Sequence, residues 1–92
     1  MATSTIKKQA DPGFRRFTLP RNSSLTVTIH NPCFLFTSGS DTNYSVSYCA
    51  SNRLINIAGD DPNVVAKKTG TYTLQIENNY SWEVIAWILD VV

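Results

Sequence analysis

Residues 24–30, Ser24-Leu25-Thr26-Val27-Thr28-Ile29-His30, decide the fold. Leu25, Val27 and Ile29 alternate with Thr26, Thr28 and His30, the period of a strand with one dry face and one wet face. The same pattern recurs at 43–49, where Tyr44, Val46 and Tyr48 alternate with Ser45, Ser47 and Cys49. It recurs again at 71–77, where Tyr72, Leu74 and Ile76 alternate with Thr73, Gln75 and Glu77. Less regular strands are expected at 14–19, 33–37, 53–58 and 64–66. Turn chemistry separates them: Asp11-Pro12-Gly13, Pro20-Arg21-Asn22, Asn31-Pro32, Ser38-Gly39-Ser40-Asp41, Gly59-Asp60-Asp61-Pro62-Asn63, Thr69-Gly70 and Asn78-Asn79. Many short strands with turns at such spacing predict an all-β fold, a small antiparallel β-sandwich of jelly-roll-like type. Its expected core is Leu25, Val27, Ile29, Val46, Leu74 and Ile76.

The length supports one core, since 92 residues make one small domain. Charged residues are 16% of the chain, against about 25% in an average globular protein. Ser, Thr and Asn supply the polarity instead and favour turns and strand surfaces over long helices. The charge is unevenly placed. Residues 1–22 hold Lys7, Lys8, Arg15, Arg16 and Arg21 against Asp11, a net +4. Residues 23–92 hold Arg53, Lys67 and Lys68 against Asp41, Asp60, Asp61, Glu77, Glu83 and Asp90, a net −3. The division is therefore an extended basic arm, 1–22, before a single β domain, 23–92. Opposite signs favour docking of the arm on its own body, a neighbouring subunit or a larger assembly. Phe14, Arg15, Arg16 and Phe17 are its expected anchors.

The closing run 80–92 abandons alternation. Trp82, Val84, Ala86 and Ile88 fall on one side, and Ile85, Trp87, Leu89 and Val91 on the other. A strand of this kind needs cover on both sides, one from its own core and one from a partner. If Asn78-Asn79 forms a two-residue hairpin turn, Tyr72 faces Ile85, and Trp82, Val84 and Ile88 become an apolar patch on the polar side. A longer turn exposes Trp87 instead. Trp82, Val84 and Trp87 are accordingly the expected assembly residues, tryptophan being a favoured interface anchor.

Catalytic chemistry finds little footing. His30 is the single histidine, and no nucleophile or carboxylate stands at a spacing that marks a triad. Asp60, Asp61 and Asn63 form an oxygen-rich turn without the alternating ligands and distal Glu of a calcium loop. Cys33 and Cys49 lack the close spacing of a zinc or redox motif and are expected to pack in the core, a bridge between them remaining open. No catalytic residue, metal or cofactor is expected. The triplets Asn22-Ser23-Ser24, Asn43-Tyr44-Ser45 and Asn79-Tyr80-Ser81 fit glycosylation acceptors, but the N-terminus lacks the apolar stretch of a secretory signal, and no run is long enough for a membrane helix. Lys7-Lys8, Arg15-Arg16 and Lys67-Lys68 offer phosphate contacts, yet a net charge of +1 gives little counterion-release drive toward nucleic acid. Tyr80 and Trp82 are the candidates for stacking on a sugar ring.

The closing segment Gly70-Thr-Tyr-Thr-Leu-Gln-Ile-Glu-Asn-Asn-Tyr-Ser-Trp-Glu-Val-Ile-Ala-Trp-Ile-Leu resembles that of small β-sandwich virion proteins and fibre-tip domains of bacteriophages. The resemblance covers 24–92 and implies symmetric, often trimeric assembly. The expectation is a non-enzymatic, homo-oligomeric attachment protein of a virion (decoration, tail or fibre), located on the virion or an extracellular face. A carbohydrate-binding or receptor-binding module is the alternative.

Overall fold

The computed structural model describes residues 11, 13–40, 42–50 and 52–91; Lys7 and Lys8 lie outside them. Eight strands follow in order: β1 (Gly13–Leu19), β2 (Ser23–Thr28), β3 (Cys33–Ser38), β4 (Tyr44–Cys49), β5 (Leu54–Gly59), β6 (Val64–Gly70), β7 (Thr73–Asn78) and β8 (Val84–Asp90). They form a five-stranded sheet, β1-β8-β3-β4-β5, and a three-stranded sheet, β2-β7-β6. Every pairing is antiparallel. The fold is an all-β sandwich.

Hairpins join β3 to β4, β4 to β5 and β6 to β7, whereas the remaining connections cross between sheets. Consecutive β3, β4 and β5, with β8 returning beside β3, give the order of a Greek key. The crossing segments carry the turn residues seen in the sequence: Asn22 at φ 50°, the cis Asn31-Pro32 peptide, and the 60–63 turn.

The core follows from alternation in the three-stranded sheet. Val27, Ile29, Leu74 and Ile76 are buried as expected, with Leu25 packed against them. From the larger sheet come Leu19, Leu35, Val84, Ala86 and Ile88. Cys33 and Cys49 stand opposite each other across the β3–β4 ladder, both buried and unbridged.

Two expectations are overturned. First, β4 is inverted: Ser47 and Cys49 are buried, while Tyr44 is exposed and Val46 and Tyr48 are half-buried. The register places Ser47 beside inward-facing Leu35 and Val46 beside outward-facing Phe36, and neighbours in a ladder share a face. Val46 is thus outside the core. The inner hydroxyls are satisfied in part by each other, Thr37 Oγ1 and Ser45 Oγ lying 2.6 Å apart.

Second, Asn78-Asn79 makes no hairpin. β7 pairs with β2 and β6, and β8 with β1 and β3. Asn78 is fully buried at the crossing. Its Nδ2 donates to the carbonyls of Leu19 at 3.2 Å, Pro20 at 3.1 Å and Trp82 at 2.9 Å, and its Oδ1 accepts the Tyr80 N–H at 2.9 Å. One side chain thereby satisfies the turning backbone of two crossovers.

Candidate functional site

The two sheets present unlike outer faces. On the smaller sheet the outward rows are Ser24, Glu77 and Val65, then Thr26, Gln75 and Lys67. This is a face made for water.

The outer face of the larger sheet is apolar. Phe14, Leu89, Phe34, Tyr48 and Ile55 form one row across all five strands. Arg16, Trp87, Phe36, Val46 and Ala58 form the next, and Thr18, Ile85, Ser38 and Tyr44 the third. Phe14 is 64% exposed, Tyr44 52%, Phe36 42% and Leu89 39%. Phe34 and Tyr48 touch at a tilt, their centroids 5.2 Å apart. A groove of about 410 Å³ runs among Phe14, Trp87, Phe36, Ser38 and Tyr44. Arg16 is the one charged residue in the three rows.

The edges are handled differently. At the β1 edge, Arg15 points inward, its Nε and Nη2 reaching Asp90 at 2.8 and 3.1 Å and its Nη2 the Thr28 carbonyl at 2.8 Å. Asp90, with no side-chain exposure, also accepts the His30 N–H at 2.8 Å. Arg15 stacks over Phe17 at 5.4 Å. The guanidinium thus ties β1, β2 and β8 together, and β1 is an integral edge strand. At the opposite edge a bulge shifts the β4–β5 register between Val46 and Ser47, the irregularity that discourages edge-to-edge strand addition.

Set beside family models, curated proteins and solved structures, the chain matches none.

The other anticipated residues are scattered. Val84 is in the core, and so is Ile88. Trp82 precedes β8 and is half exposed, its ring stacked on Tyr80 at 4.6 Å and its Nε1 donating to the Gly39 carbonyl at 2.7 Å. Tyr80 is buried; its hydroxyl donates to Asp61 Oδ1 at 2.7 Å and accepts from Asn43 Nδ2 at 3.0 Å. Tyr80 therefore presents no open ring face to a sugar, and the pair ties Gly39, Asn43 and Asp61 together. Among the expected interface residues, Phe14, Arg16 and Trp87 share the apolar face. Sequence reasoning missed Phe36, Tyr44, Tyr48 and Leu89. The signal was present in β4, whose dry side was recognised but assigned inward.

Among the described residues, no three His, Cys, Asp or Glu side chains gather as a metal site, and no helix is long and apolar enough to cross a membrane.

Proposed function

We propose that this protein is a non-enzymatic structural component that self-assembles, with the aromatic face of the five-stranded sheet as its subunit interface. The carrying observation is that face: two largely apolar rows across five strands and a mixed third row across four, opposed by a polar face on the other side. An apolar patch beyond a few hundred Å² marks an interaction surface.

A second copy of the chain is its occupant. Five strands about 4.8 Å apart and about 20 Å long give roughly 500 Å² in projection. Side-chain relief makes the accessible area larger, toward the roughly 800 Å² per partner of a standard interface. The required partner must be flat, apolar and almost uncharged, and among the described residues this same face has those properties. Packing it on its own copy stacks sheet on sheet, an isologous arrangement. Phe36 and Trp87 would lie near its centre, with Phe14 and Arg16 on the β1 edge at the rim.

The resemblance to small virion sandwiches supplies a setting, in which such a unit decorates or joins a larger assembly, and a three-fold arrangement is the other way of covering the face. The polar sheet then looks outward. Trp87 fluorescence tests the reading. In a Trp82→Phe background, dilution shifts emission to the red as Trp87 meets water; emission independent of concentration contradicts it.

A further inference from the structure

The inner face of β4 raises the reverse question, why hydroxyls point between two sheets. Ser45 and Ser47 face inward, and the ladder sets Asn56 of β5 beside Ser47. Here the sheets part along the edges formed by β5 and β6, leaving a cleft of about 340 Å³. Ser45, Ser47, Asn56, Asp60 and Asp61 supply its polar lining, and Leu54 and Val64 stand among its apolar wall. The volume is at the lower end of ligand pockets, which run about 300–1,000 Å³.

Asp61 is the most constrained member. It is 4% exposed. Its Oδ1 accepts from the Tyr80 hydroxyl at 2.7 Å and the Asn63 N–H at 3.3 Å, while Oδ2 has no hydrogen-bond partner among the described residues. That oxygen is buried and lies toward Gly39, so Asp61 shapes the cleft floor and the open acceptors are those of Ser45, Ser47, Asn56 and Asp60. The lining is thus rich in acceptors and hydroxyls, carries two negative side chains and no cation, and has an apolar wall on one side.

We propose that this cleft binds a neutral sugar ring or similar polyol. Ring hydroxyls would donate to Asp60 and exchange hydrogen bonds with Ser45, Ser47 and Asn56, while the C–H face of the ring lies on Leu54 and Val64. A divalent cation fits less well, because calcium takes six to eight oxygens and one Asp61 oxygen is already shared by two donors. The cleft lies on the opposite side of the larger sheet from the aromatic face, so binding here stands or falls independently of self-assembly.

The test is an amide-shift titration of the full, isotope-labelled chain with D-glucose, D-galactose, D-mannose, N-acetyl-D-glucosamine and calcium chloride at millimolar concentrations. At least one sugar is expected to move the amides of Ser45, Ser47, Asn56 and Val64 saturably. Ser47→Ala and Asn56→Ala should each weaken that sugar about fivefold, the effect of a lost hydroxyl or amide hydrogen bond, with the rest of the spectrum unchanged. Thr26→Ala on the polar outer face should leave the affinity as it was. Saturable shifts with calcium alone, shifts confined to residues around Trp82, or no saturable shift with any sugar would overturn the proposal.

Discussion

Phe36 of β3 stands directly across the ladder from Trp87 of β8, and both side chains face away from the core. Ordinarily the large aromatics of a small sandwich lie between its sheets. Here the hydrophobic interior is made chiefly of Leu, Ile, Val, Ala and Cys, and most of the described aromatics lie outside it. Among the described residues the buried hydrophobic core is almost wholly non-aromatic, Tyr80 being its one aromatic member, and the crossovers are fastened by polar side chains. The aromatic surplus is what a second layer would use.

Asn78 holds the crossovers, and its loss should be felt globally. Asn78→Ala leaves the Leu19, Pro20 and Trp82 carbonyls without their amide donor. A cost of about 3 kcal/mol is expected, read as a fall of more than about 10 °C in thermal midpoint for a domain of this size. Asn78→Asp should cost more, because it sets acceptor against acceptors. Equal stability of wild type and Asn78→Asp in a thermal melt would refute the role.

Gly39 is fixed by close approach. A Cβ there would overlap the Tyr80 ring and the Asp61 carboxylate. Gly39→Ala is expected to destabilise by about 1–3 kcal/mol and to diminish the near-ultraviolet circular dichroism of the Tyr80–Trp82 stack. An unchanged urea midpoint and an unchanged aromatic signal would show that the loop yields freely.

The cysteine pair makes stability depend on alkaline pH. The Cys33 thiol hydrogen bond, aided by the Lys68 ammonium, lowers Cys49 from 9.0 to about 7. That same hydrogen bond, with burial, raises Cys33 well above the ordinary thiol range. Between about 7 and 9.0 the folded chain has released a proton that the unfolded chain keeps, so stability rises with pH. Above 9.0 the unfolded chain releases both while Cys33 keeps its own, so stability falls. Thermal midpoints of the reduced protein should therefore pass through a maximum near pH 9, and Cys49→Ser should remove the rise. The same profile in both proteins would count against the thiol–thiolate pair.

Much of this architecture was legible in the chain. Val27, Ile29, Leu74 and Ile76 announced their burial, and Leu25 its packing against them, because an apolar face opposed by threonine and charge has one sensible orientation. In β4 the same pattern misled, since alternation tells which residues share a face and not which face points inward. That choice was made by Leu35 and Phe36 across the ladder. Asn78 was equally opaque: it reads locally as a turn residue, while two of its acceptors lie 59 and 58 positions away. The polar cleft shares this character, uniting Ser45, Ser47, Asn56 and Asp61 from β4, β5 and the crossing loop.

Light scattering of the full chain over a range of concentrations, at low and high salt, tests self-assembly through the aromatic face most directly. The wild type should show a multiple of the 10.2 kDa chain mass that persists in high salt, because apolar contacts are not screened as charges are. Trp87→Glu should reduce it to a single chain with its fold retained, and Thr26→Glu on the polar face should change nothing. A wild-type mass of 10.2 kDa at every concentration, or an oligomer indifferent to Trp87→Glu, would contradict it.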